Sequence, residues 1–137
     1  MSALQSGLTT PPEFPTEAFL RAAIRSHFEK AGYQEIAAGQ ADFACEHSAT
    51  HEKWILEVIG LTSSVKTDFY TGLGEIVCRM DGSYSKFGLA IPLTSQFLAA
   101  SRDIHPNTRR ALHLHLLFVD ASGTVTALKP GQPIPIS

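Results

Sequence analysis

A single acid interrupts the most apolar stretch in the middle of the chain, Trp54-Ile55-Leu56-Glu57-Val58-Ile59. The β-forming residues around it predict a strand over 53–59. An unpaired carboxylate fully buried in such a strand costs several kcal/mol, so Glu57 calls for a partner. Asp42 falls in the preceding predicted strand, 41–45, shortly after a glycine-containing turn. If the two strands form a hairpin, their carboxylates approach closely enough to share a divalent cation. Mg²⁺ requires hard oxygen ligands and water, and one or two carboxylates usually suffice. Such an ion can activate water and stabilise charge on a phosphoryl group.

The rest of the chain supplies a scaffold for that hairpin. Residues 1–15 are polar and carry Thr9-Thr10-Pro11-Pro12, which reads as a flexible or extended lead-in. A helix is expected over 16–31, with Thr16 as N-cap and Phe19, Ala23, Ile24, Phe28 and Ala31 at helical spacing, ended by Gly32. Strands are expected at 33–36, 41–45 and 53–59, with a polar turn from His47 to His51. A second helix is expected over 68–80, capped by Thr67, with Leu73, Ile76, Val77 and Met80 as its buried stripe. Gly72 and Gly74 lower its propensity, as they would where a backbone packs close to a sheet. A buried strand over 87–91 stopped by Pro92, a helix over 94–102 and one more turn over 106–111 follow. A hairpin pairs 114–119 with 124–128, and 129–137 is an irregular proline-rich tail. The expectation is one α/β domain over 16–128, with a mixed central sheet flanked by helices.

Composition narrows the classes. Hydrophobic residues are 44% and charged residues 18% of 137, a globular balance. The formal net charge of -2 provides no overall basic footprint for nucleic acid, although a local patch can exist on such a protein. Cys45 and Cys78 lack redox or zinc spacing and read as two reduced thiols behaving as small hydrophobes in a core, which fits a cytoplasmic setting. No stretch approaches a membrane span, and the N-terminus has no signal-peptide pattern.

Three segments together resemble the PD-(D/E)xK, or restriction-endonuclease-like, superfamily: Lys30-Ala31-Gly32-Tyr33 closing a helix, then Ala41-Asp42, then Trp54-Ile55-Leu56-Glu57-Val58-Ile59-Gly60. Thr71-Gly72-Leu73-Gly74-Glu75 and Leu89-Ala90-Ile91-Pro92 are similar to later segments of the same group. The resemblance spans roughly residues 16–125 and implies an αβββαβ core. It also implies that Asp42 and Glu57 bind Mg²⁺ or Mn²⁺, and that a lysine two residues after the glutamate positions the attacking water. That position holds Ile59, and a helix glutamine common in relatives falls at Glu75.

A substitute cation is available in two places. Asp68, Gly72, Glu75 and Arg79 share one helix face, which could look towards the acidic pair. Arg79 cannot act as a general base but can hold a phosphate oxygen. Lys66, in the loop after the strand, could reach back, whereas Lys53 lies ~13 Å along the strand from Glu57. The alternative is structural: Glu57 pairs with Arg79 or Lys66 as a satisfied charge, and Asp42 is a turn or strand-end residue.

Other candidates are weaker. His113 and His115 alternate on one strand face as a zinc pair would, but a third ligand is lacking. His47 and His51 read as loop surface, or as a base if a metal is present. Arg109-Arg110 reads as a solvated basic pair. Gly72-Leu73-Gly74 lacks the remainder of a nucleotide fingerprint, and no nucleophile elbow occurs. Two functions remain open. One is a restriction-endonuclease-like domain with catalysis lost or altered, serving as a nucleic-acid-binding or protein-assembly module, and a homodimer is one form it could take. The other is an active Mg²⁺/Mn²⁺ nuclease with Asp42, Glu57 and Glu75 as its acids and Lys66 or Arg79 as the displaced cation.

Overall fold

The computed structural model describes residues 11–83 and 85–134. The sequence expectations for 1–10 and 135–137 lie outside the described residues. The first helix, α1 (Glu17–Lys30), starts where Thr16 Oγ1 accepts a hydrogen bond from Phe19 N at 3.3 Å. Glu17 adds a negative charge in the first turn, at the positive end of the helix dipole. The helix stops at Ala31, followed by Gly32 at φ +93°, a conformation that favours glycine. Leu20, Ile24 and Phe28 form its buried line. Phe19 and Ala23 only flank that line, and Ala31 is an exposed cap.

Three antiparallel strands follow: β1 (Tyr33–Glu35), β2 (Phe43–His47) and β3 (Lys53–Val58). After α2 (Val65–Arg79), strand β4 (Lys86–Pro92) returns parallel to β3. Helices α3 (Ser95–Arg102) and α4 (Pro106–Leu112) lead to β5 (Leu114–Val119), parallel to β4. The last strand, β6 (Val125–Leu128), pairs antiparallel with β5. The sheet order β1-β2-β3-β4-β5-β6 is thus mixed, and the chain opens on the αβββαβ order expected from sequence.

Strand alternation sorts the core into two layers. Phe43, Cys45, Trp54, Leu56, Val58, Ala90 and Leu117 meet α1 on one face. Leu89, Ile91, Leu116 and Phe118 meet Phe69, Ile76, Phe97 and Leu98 of α2 and α3 on the other. Glu57 and Ile59 have the odd parity of β3 and so face α2.

Several local expectations are corrected. Helix α2 begins at Val65 because Ser64, not Thr67, is its N-cap: Ser64 Oγ accepts from Thr67 N at 3.2 Å. Asp68 is occupied instead by the preceding loop, accepting from Thr62 N at 2.7 Å and Thr62 Oγ1 at 2.6 Å. The buried face of α2 is Phe69, Gly72 and Ile76, while Leu73 and Met80 are half-buried and Val77 is 41% exposed. Pro92 is the last residue of β4 rather than a stop before it. His113 caps α4 at φ 54° and lies outside β5, so it does not alternate with His115 on a strand. Arg109 is buried rather than solvated.

Candidate functional site

Asp42 lies in the turn just before β2 rather than within that strand. Its Oδ2 accepts from Val58 N at 2.9 Å, which ties the turn to the end of β3. The register of β2 on β3, with Phe43 opposite Leu56, brings Asp42 level with the Glu57–Val58 segment. Arg21 of α1 donates to the Asp42 carbonyl and pairs with Glu17 at 2.9 Å. The Asp42 carboxylate is therefore held by the Val58 backbone and its main-chain carbonyl by the Arg21 side chain.

Glu57 is only 2% exposed. Burial pushes its carboxyl up to about 7. The neighbouring Asp42 charge, a hydrogen-bonding contact between the two carboxyl groups, and the charge of Glu75 add to the rise; Arg79 opposes it. Arg79 Nε stands 3.5 Å from Glu57 Oε2. That separation is an ion pair without hydrogen-bond geometry, since both atoms are buried and neither has a hydrogen-bond partner among the described residues. The remaining guanidinium nitrogens of Arg79 donate to Gln40, at 3.4 Å to Oε1 and 3.3 Å to the carbonyl oxygen. Lys66, exposed in the first turn of α2, enters no ion pair among the described residues. The cation beside Glu57 is Arg79.

Ile59 is 4% exposed and belongs to the apolar layer under α2. A Cβ on Gly72 would meet Ile59 Cγ1 at 2.5 Å, so the glycine lets the helix backbone sit directly on this side chain. Gly60 serves the opposite face in the same way. A Cβ there would fall 2.3 Å from Glu17 N, so the start of α1 rests on the strand end.

A cavity of about 270 Å³ opens on the Asp42 side of this pair, lined by Asp42, Asp68, Glu75, Glu17, Ile59 and neighbouring backbone, while the buried Glu57 lies behind it and is not among its described lining residues. Glu17 had no sequence signal as a member of this cleft, because the close approach at Gly60 is what brings it in. Asp68 shares the helix face expected from sequence, but its carboxylate is committed to the Thr62–Ser63 loop. Among the described residues no group of three or more Asp, Glu, His or Cys is placed to hold a metal ion, so Asp42 and Glu57 are the two hard-oxygen groups on which a Mg²⁺ or Mn²⁺ site would have to rest, with water completing the shell. The orphaned Glu57 Oε2 is an oxygen with spare capacity for such an ion. His47 is excluded from this chemistry: its Nδ1 accepts from Ala49 N and Thr50 N, holding the hairpin turn. His51 pairs with Glu46 at 3.0 Å.

Among solved structures, an XisH family protein from Nostoc punctiforme PCC 73102 superposes with a TM-score of 0.60 at 19% identity, covering 82% of this chain and 98% of that one. A FdxN element excision controlling factor protein from Anabaena variabilis gives 0.60 at 18% identity, with coverage of 82% and 98%. The chain shares their fold. No family model matches the sequence, and no curated protein does. Among the described residues, no helix is long and apolar enough to cross a membrane.

Proposed function

We propose that this chain is a restriction-endonuclease-like domain that has lost phosphodiester hydrolysis and serves as a nucleic-acid-binding or protein-assembly module. The observation that carries this reading is Ile59. The position implied for the catalytic lysine holds an apolar side chain packed into the α2 interface. The cation that does stand beside Glu57 is an arginine, which cannot give up a proton to activate water. Asp42 and Glu57 would hold a divalent ion, with Glu75 adding charge. When bound, that ion would stabilise negative charge on a phosphoryl group. The chain's own residues keep the two carboxylates in register and oppose their repulsion through Arg79. The name of the Anabaena variabilis structure, an element excision controlling factor, supports a setting in which nucleic acid is handled.

A second reading is an active nuclease in which Arg79 replaces the lysine as a holder of phosphate. The raised Glu57 carboxyl and the third acid favour it, because such perturbed groups cluster at working sites. Two measurements separate the readings. Mn²⁺ and Mg²⁺ are titrated calorimetrically into the protein and into Glu57→Ala, and both are assayed on single- and double-stranded DNA and RNA. The first reading expects metal binding lost in the variant, retention of an oligonucleotide in a gel-shift or self-association by light scattering, and no cleavage. Metal-dependent cleavage that disappears in Glu57→Ala would establish the second reading and overturn the first.

A further inference from the structure

The cleft beside Asp42 is a poor landing place for a polyanion. Glu17, Asp42, Asp68 and Glu75 line it, and no lysine or arginine does among the described residues. Nucleic acid would need cations elsewhere, and the charge of the chain is unevenly spread. After Asp81 only two acids remain, Asp103 and Asp120, against five basic residues: Lys86, Arg102, Arg109, Arg110 and Lys129. Both acids are engaged away from α4. Asp103 Oδ2 accepts from the Tyr70 hydroxyl of α2 at 3.1 Å. Asp120 holds the turn after β5, accepting from Ser122 N and Thr124 N at 2.9 Å each. Val119 pairs with Val125 and Leu116 with Leu128, so that turn lies at the opposite end of the hairpin from Lys129.

Cations gather where α4 meets the turn at 129–132. Gln132 N donates to the Lys129 carbonyl at 3.0 Å and closes that turn. The buried Arg109 clamps it to the helix, with Nη2 donating to the Gln132 carbonyl at 2.6 Å. A Cβ on Gly131 would fall 2.8 Å from Arg110 Nε and Nη2, so the Arg110 guanidinium lies directly on the turn. Arg110 and Lys129 are exposed, and neither enters a described ion pair. Arg110 donates to the neutral Asn107 side chain, which leaves its charge uncancelled. Arg109 is also outside the described ion pairs and stays protonated, so its charge adds to the field from beneath. Lys86 does not count towards this face, because Glu52 pairs with it at 2.6 Å.

We propose, resting on the nucleic-acid reading given above, that the face centred on Arg110 and Lys129 binds a phosphodiester backbone without reading its sequence. Contacts to phosphate come from arginine, lysine and neutral side-chain donors, carry no sequence information, and find the neutral kind in the exposed Asn107 and Thr108. A protein partner would call for apolar surface at the centre of the face. The described large hydrophobic side chains that are exposed, Leu61, Tyr70, Val77 and Leu93, all lie elsewhere. A polar, positively charged face without an apolar centre is the pattern of a nucleic-acid interface.

The test is fluorescence anisotropy of labelled single- and double-stranded oligonucleotides of mixed sequence, titrated with the full chain in chelator across a series of salt concentrations. The expected result is binding that weakens with salt. Arg110→Gln and Lys129→Gln are each expected to reduce the slope of log K against log salt by about one, and the double variant by about two. Lys30→Gln removes the same charge from the exposed surface of α1 and is expected to leave affinity and slope unchanged. Equal weakening in Lys30→Gln would reduce the effect to overall charge and overturn the proposal. Polyglutamate bound as tightly as the oligonucleotides would assign the face to an acidic protein and overturn it as well. Binding that requires Mn²⁺ and is lost in Glu57→Ala would place nucleic acid in the acidic cleft, overturning this face while keeping the nucleic-acid reading. No binding in chelator or in Mn²⁺ would overturn both, leaving protein assembly.

Discussion

Glu57 is buried on the α2 side of β3 with a carboxyl beside it, another near it and one arginine against it. Folding raises its pKa from an ordinary 4.5 to about 7, so the folded state holds the proton more tightly than the unfolded chain. The associated stability is fully present below pH 4.5 and is lost as pH rises through about 7. At ~1.4 kcal/mol per unit, the effect is on the order of 3 kcal/mol between those limits. Glu57→Gln removes the titration. In chelator-treated protein, urea unfolding from pH 5 to 9 is expected to show the wild type losing stability relative to Glu57→Gln as pH rises. Parallel curves would mean that folding does not raise the Glu57 carboxyl, and so contradict its burial beside Asp42. Excess Mn²⁺ is expected to reverse the loss in the wild type alone, because an ion shared by Asp42 and Glu57 favours the deprotonated form.

At the scale of the element, α2 contains two glycines with opposite surroundings. A Cβ at Gly72 would press on Ile59 at 2.5 and 2.6 Å, whereas one at Gly74 meets nothing within 4 Å. Gly74→Ala is therefore expected to stabilise the protein by about 0.5–1 kcal/mol through helix propensity alone. Gly72→Ala is expected to destabilise it by about 1–3 kcal/mol, because Ile59 is buried and has to shift. Chemical denaturation of the two variants checks the pair, and equal effects would contradict the packing of α2 on β3. The sequence reading that glycines here mark close approach to the sheet holds at Gly72 and not at Gly74. Propensity records that a glycine is tolerated; only the neighbouring strand says why. The order of elements was legible because apolar spacing carries it, and Thr16 and Gly32 bound α1 by chemistry local to the chain. The start of α2 was not, since Ser64 and Thr67 are both competent caps and the choice rests on where Asp68 is spent. Glu17 in the cleft and the burial of Arg109 depend on contacts distant in sequence, at Gly60 and Gln132, which periodicity does not encode.

At the scale of the whole molecule, the sheet is closed on one face by α1 and on the other by α2 and α3, and the two cysteines report on the first closure separately from the surface. Cys45 in β2 lies at 0% exposure beneath α1, and burial pushes its thiol up to about 12. Cys78, expected from sequence in a core, is instead exposed on α2, whose buried face is Phe69, Gly72 and Ile76. The thiolate is the reacting species, so Cys45 is protected both by access and by protonation. At pH 8 an aromatic disulfide reagent is expected to label one thiol quickly in the native protein and the second only as the chain unfolds. Cys78→Ser isolates the slow thiol. Its labelling rate in that variant is expected to rise with urea with the full slope of global unfolding, because Leu20, Ile24 and Phe28 leave Cys45 no local route to solvent. A shallow urea dependence would show that α1 detaches by itself. The Asp42 turn would then come loose with it, since Arg21 of α1 bonds the Asp42 carbonyl and the first turn of α1 rests on Gly60. The same labelling curve thus measures how firmly the acidic cleft is held together.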